Sequence, residues 1–123
     1  MNLTAKTIIA EVASYYNVTR DDIYCIMRKK ENVKYKHITM YFMRHFLKQS
    51  LALIGGEFPG RRRNGRLDHA TVSNALKSVQ NQYDTNRIYR KEIDEITQRL
   101  KILIQDQKVI EEEVFLENDF YTN

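Results

Sequence analysis

Ser50-Leu51-Ala52-Leu53-Ile54-Gly55-Gly56-Glu57-Phe58, followed beyond Pro59-Gly60 and an arginine-rich turn by Asp68-His69-Ala70-Thr71-Val72, reads as two helices with a turn between them. Ser50 stands where a hydroxyl satisfies the orphan N–H groups of a helix's first turn. The helix it opens carries Leu53, Ile54 and Phe58, and Pro59-Gly60 stops it. Arg61-Arg62-Arg63-Asn64-Gly65-Arg66 is a turn-rich loop. Asp68 then occupies the N-cap position of a second helix. Val72, Ala75, Leu76, Val79 and Tyr83 recur at helical spacing and form its buried face. His69, Ala70, Ser73, Asn74 and Lys77 point the other way. Leu53, Ile54, Phe58, Val72, Leu76 and Val79 are expected to lock the angle between the two helices. Gly55 and Gly56 are expected to let them approach closely, although each weakens the first helix by roughly 1 kcal/mol.

Upstream, Ile9, Val12, Ala13 and Tyr16 mark one face of a helix over Thr4 to Tyr16, which Asn17 ends. Thr19 and Asp22 have the spacing of a capping box and open a short helix through Ile23, Ile26 and Met27. Arg28 to Lys36 loses apolar periodicity and gains charge, so it reads as a basic loop. Ile38, Phe42, Phe46 and Leu47 make the stripe of a helix from about Tyr35 to Gln49. Downstream, Asp84-Thr85-Asn86 breaks or caps the chain. Ile93, Ile96, Leu100, Leu103, Ile110 and Val114 then follow a heptad, interrupted at Gln107. A helix of about 30 residues is about 45 Å long, longer than a bundle of the preceding size. Two readings stand side by side: its first half closes the core and its acidic end frays, or the stripe binds a partner. Ile102, Ile104 and Phe115 widen the stripe beyond a narrow seam. The fold class is therefore all-α: a helical bundle with a helix-turn-helix over 1–83 and a helical extension with an acidic tail over 84–123.

The charges are unevenly placed. Between Arg20 and Arg66 there are twelve bases against four acids, whereas from Asp84 to Asn123 there are six bases against ten acids. A concentrated positive field suits a polyanion such as nucleic acid. Its bland counterpart is a solvated basic face. The lone Cys25 excludes an internal disulfide and any multi-cysteine zinc site. No basic segment followed by an unbroken apolar run opens the chain, and no apolar stretch approaches the roughly 18–20 residues of a membrane span. A cytoplasmic, nucleoid-associated protein without membrane contact is expected. His37, His45 and His69 lie far apart, with no carboxylates at metal-ligand spacing. Neither metal nor cofactor is expected, and no enzymatic activity. Tyr15, Tyr16, Tyr24, Tyr41 and Tyr83 sit at helical spacings and read as core or rim, not as a stacking platform for single strands.

Val12-Ala13-Ser14-Tyr15-Tyr16-Asn17-Val18, the Ser50–Phe58 stretch and Asp68–Val72 stand in the order and approximate spacing of one known domain. Over roughly Thr4 to Tyr83 the chain resembles the C-terminal duplex-DNA-binding domain of DnaA, the bacterial replication initiator, most specifically at Asp68–Val72. The resemblance implies a Trp-repressor-like helix-turn-helix that binds short specific boxes of double-stranded DNA. It implies that Asp68 and His69 contact base edges in the major groove, with Thr71 on a base or phosphate and Ala70, Ser73 and Asn74 along the same face. A carboxylate can indeed accept from a cytosine amino group. Asp68 as a cap alone and His69 as a surface histidine are the bland readings. The family's basic loop enters the minor groove and touches phosphates. Arg28, Lys29, Lys30, Lys34 and Lys36 stand there here, with Arg28 the candidate for the groove. Lys77 is a further candidate phosphate contact.

Three departures qualify the likeness. The family has a second threonine where this chain has Ala70, so a hydroxyl contact is replaced by a methyl. The family joins its glycines to the Asp-His pair almost directly, where this chain carries Arg61 to Leu67. Arg61, Arg62, Arg63 and Arg66 are expected to track a phosphate backbone or enter a groove. No Gly-x-x-x-x-Gly-Lys-Ser/Thr stretch is present, so ATP binding by a P-loop is not expected. The implied function is duplex DNA binding by a stand-alone domain in replication initiation or its regulation. A repressor or transposition-associated protein of the same fold is an alternative. So is an interaction module acting through residues 86–116, by self-association or with a protein partner.

Overall fold

The computed structural model describes residues 3–24, 30–59 and 67–121, the side chains of residue 30 and of 106–121 excepted. The described elements are all helices: α1 Ala5–Tyr16, α2 Arg20–Tyr24, α3 Lys30–Leu47, α4 Leu51–Gly56, α5 His69–Thr85 and α6 Arg87–Tyr121. Their ends are set by short polar side chains. Thr4 Oγ1 accepts from the Thr7 N–H, and Asn17 closes α1 in the left-handed region at φ 56°. The Thr19 N–H donates to Asp22 Oδ2 at 3.0 Å while the Asp22 N–H donates to Thr19 Oγ1 at 3.1 Å, a reciprocal capping box. Ser50 Oγ accepts from the Leu53 N–H at 3.2 Å, and Asn86 Oδ1 from the Tyr89 N–H at 3.1 Å. Each of these groups satisfies a donor that the helix itself leaves open.

α3 runs through the middle of the molecule and packs on α1, α2, α4 and α5, while α6 packs across α1 and α5. One core results: Ile8, Ile9 and Val12 from α1, Ile23 from α2, Ile38, Met40, Phe42 and Met43 from α3, Ile54 and Phe58 around α4, and Val72, Ala75 and Val79 from α5. Tyr89, Ile93, Ile96 and Leu100 of α6 join the same cluster. The heptad stripe therefore belongs to the core up to Leu100. At Ile102 and Leu103 it meets solvent. α6 has 35 residues, which at 1.5 Å each makes it about 52 Å long. Among the described residues, no helix is long and apolar enough to cross a membrane.

Two expectations are corrected. The segment read as a basic loop from Arg28 to Lys36 is helical from Lys30 onward. Lysine and glutamate are good helix formers, and the apolar contacts that periodicity lacked are supplied by aromatic rings from elsewhere in the fold. Tyr35 stacks on Tyr16 at 4.4 Å between centroids. The Lys34 ammonium lies 2.9 Å from Glu92 Oε2, with the rings of Tyr16 and Tyr89 at 5.3 and 5.4 Å. Burial, and then the Glu92 charge, push the Tyr89 phenol up to about 12 and the Tyr16 phenol up as well. The second correction is Leu53, which is 61% exposed. Ile54 and Phe58 hold α4 to the core without it.

Candidate nucleic-acid interface

The face of interest is built where α4 meets the start of α5. Gly55 is that junction. Its carbonyl accepts from the Leu67 N–H at 3.2 Å and from the Phe58 N–H at 3.3 Å. A Cβ on Gly55 would stand 2.3 Å from the Leu67 carbonyl oxygen and 3.5 Å from Val72 Cγ2. Only a glycine allows so close an approach, and it fastens the residue preceding Asp68 to α4. Gly56 meets nothing within 4 Å, so the expected close approach rests on one glycine, not two.

From this anchored point Asp68 turns the chain into α5. Its backbone is extended, at φ −79° and ψ 164°, and Oδ1 accepts from the Thr71 N–H at 2.8 Å. Val72, Ala75 and Val79 are buried behind the helix. His69, Ala70, Thr71, Asn74 and Lys77 are exposed in front, with Ser73 half-buried between them. An imidazole, a methyl, a hydroxyl and an amide thus stand together on the leading turns of a helix whose amino end is positive. These groups can donate to, accept from and pack on the edges of bases.

The expected basic partners divide. Lys34 is held by Glu92 and two tyrosine rings, and so is committed within the fold. Lys36 is half-buried on α3, and Lys30 opens that helix. Arg28, Lys29, Arg61, Arg62, Arg63 and Arg66 lie outside the described residues. A basic cleft went unnoticed in the sequence. Tyr41, Arg44 and His45 from α3, Lys48 just past its end, and Leu76, Lys77 and Gln80 from α5 enclose about 610 Å³ of open cleft beside the exposed face of α5. Tyr41, Arg44 and His45 recur at i, i+3 and i+4, a spacing that places them on one side of α3, and Lys48 follows just past the helix end in the left-handed conformation, at φ 56°. That regularity groups the α3 side chains on one face; that the face borders α5 follows only from the packing. Among the described residues, no group of three or more His, Cys, Asp or Glu side chains is arranged to hold a metal ion.

The comparisons with known proteins agree with this architecture. Residues 5–79 match the family model described as the bacterial dnaA protein helix-turn-helix. The chromosomal replication initiator protein DnaA of Chlorobaculum tepidum is 34% identical over 101 residues, 82% of this chain and 19% of that protein. That of Lactococcus lactis subsp. cremoris is 37% identical over 98 residues, 80% of this chain and 20% of that protein. That of Cutibacterium acnes is 33% identical over 99 residues, 80% and 19% respectively. The chain thus spans about a fifth of the length of these curated relatives. The matched region runs from α1 into α5 and takes in both the Gly55 junction and the exposed opening turn of the second helix, so the chain belongs to the bacterial dnaA helix-turn-helix family.

Proposed function

We propose that this protein binds double-stranded DNA by seating the first turns of α5 in the major groove, and that it does so in replication initiation or its regulation. One observation carries the reading: a rigidly anchored, Asp68-capped helix start presents exposed His69, Ala70, Thr71 and Asn74. Specificity follows from the chemistry of these groups. The His69 ring and the Asn74 amide make directional hydrogen bonds, and the Ala70 methyl packs on a thymine methyl. A major groove about 12 Å wide admits one such helix. Because Ala70 replaces a hydroxyl with a methyl, the preferred sequence differs from that of relatives with threonine there. Lys77, Lys36 and the arginines of 61–66 supply phosphate contacts, which set affinity and salt dependence rather than sequence choice. Association through α6 is the second reading, favoured by Ile102 and Leu103 standing exposed where the stripe leaves the core.

Selection from a random duplex library tests the main reading, with enrichment of one motif as the expected result. His69→Ala is expected to weaken binding to that motif by about 1–3 kcal/mol, with little change on unrelated duplexes. Equal losses on both would remove His69 from base reading. Failure of the pool to enrich would remove sequence-specific recognition altogether.

A further inference from the structure

We propose that a second copy of this chain packs antiparallel along the outer face of α6, with Ile102 at the two-fold axis and with Arg87 and Lys91 opposite Glu117 and Glu113 of the other copy. The inference rests on the reading of association through α6 and needs nothing from α5. The inner face of α6 is spent on the core, where Tyr89, Ile93, Ile96 and Leu100 are buried. On the other side Ile88, Lys91, Glu95, Gln98 and Ile102 recur at alternating spacings of three and four, and all are exposed. That alternation is the spacing of a seam between two helices. Its apolar ends stand open, Ile88 at 73% and Ile102 at 53% exposure. Seven-residue steps from Ile102 reach Val109 and then Leu116 in the sequence, and α6 stays helical to Tyr121. About 680 Å³ of open groove lies on this side, with Tyr15 of α1 in one wall and Arg87, Lys91 and Gln98 in the other.

Charge names the occupant and its direction. From Arg87 to Lys101 the helix carries five bases against three acids; from Ile102 to Tyr121 it carries one base against six acids. The three acids of the first half are engaged within the fold. Glu92 pairs with Lys34, Asp94 accepts from the Tyr83 hydroxyl at 2.8 Å, and Glu95 accepts from the Tyr15 hydroxyl. Among the described residues, Arg87 and Lys91 pair with no carboxylate. The first half thus offers cations outward, and the acidic second half of the same helix is its complement. A parallel pair sets like charges against each other, whereas an antiparallel pair sets each half against its opposite. Ile88 and Leu116 each lie 14 residues from Ile102, about 21 Å along the helix. Centring the pair on Ile102 brings Ile88 level with Leu116, Lys91 with Glu113 and Arg87 with Glu117. Two-fold symmetry makes each of these pairings twice.

The test is sedimentation equilibrium of the full chain over a concentration series. The parent's mass is expected to rise from 14.7 kDa towards twice that value, and Ile102→Asp is expected to stay monomeric. Two charge variants set the direction: Arg87→Glu with Lys91→Glu, and Glu113→Lys with Glu117→Lys. Arg87, Lys91 and Ile102 are exposed, and thermal unfolding checks that every variant is folded. Each charge variant alone is expected to raise the dimer Kd about tenfold or more, since four exposed pairs turn from attraction to repulsion. All four substitutions in one chain are expected to restore the parent's Kd, because every pair is again complementary. A parallel pair behaves otherwise: like charges stay like in either charge variant, so both would associate as the parent does. That result, or no recovery in the fourfold variant, would overturn the antiparallel arrangement and leave association through α6 standing. A monomeric parent, or a dimer indifferent to Ile102→Asp, would overturn self-association through this face as well.

Discussion

At Gly55 a methyl group has nowhere to go, because the Leu67 carbonyl oxygen would lie 2.3 Å away and belongs to the backbone. One residue later the space is open. Gly55→Ala is therefore expected to destabilise the fold by about 1–3 kcal/mol and to displace the start of α5. Gly56→Ala is expected to stabilise it by about 0.5–1 kcal/mol, since the unfolded chain loses freedom without a clash. Urea unfolding of the two variants checks both signs, and a stable Gly55→Ala would remove the junction. The sequence showed two equivalent glycines, because nothing local distinguishes them; the position of Leu67, set by long-range packing, does. At His37, burial and then the neighbouring Lys36 lower the imidazole's affinity for a proton below its ordinary value of 6.5. The unfolded chain takes up that proton near the ordinary value, and the folded chain resists it. His37's contribution to stability is thus full above about 6.5 and is lost as pH falls towards the lowered folded value. The thermal midpoint is expected to fall between pH 7 and pH 5, and less steeply in His37→Gln. Equal slopes in the two proteins would assign the acid sensitivity elsewhere.

Among the elements, α6 has two fates along its length. Tyr89, Ile93, Ile96 and Leu100 are in the common core. Burying side chains of this size contributes about 1.5–3 kcal/mol each, together comparable to the whole stability of a small domain. A chain stopped after Asn86 is expected to lose cooperative unfolding. A chain stopped after Gln105 keeps every one of those core side chains and should melt within a few degrees of the parent. Calorimetry separates the outcomes, and a well-folded chain ending at Asn86 would show that α6 is dispensable to the core. The heptad was legible in the sequence, but not the residue at which it passes from core to solvent. That depends on how far α1 and α5 extend alongside it. The start of α3 shows the opposite failure. Its lysines gave no apolar period, and the contacts that hold Lys34 and Tyr35 in the fold are aromatic rings and Glu92 brought from α1 and α6.

For the whole molecule, local chemistry and periodicity determined the element types, most of their ends and a single all-α core. The caps at Thr4, Asn17, Thr19, Ser50 and Asp68 act within a few residues, and a helix's apolar face repeats every turn whatever it packs against. The apolar period also left His69, Ala70, Ser73, Asn74 and Lys77 on the outer face of α5, while a base-reading role for that face is what the resemblance to the DnaA domain implies. Tertiary structure decided what depends on distant partners. It committed Lys34 to Glu92 instead of to solvent, left Leu53 exposed, and gave Gly55 a role that Gly56 lacks. It also brought Arg44, His45 and Lys48 beside Lys77. No spacing along the chain encodes which side of α3 faces α5, because that follows from how the helices share one interior.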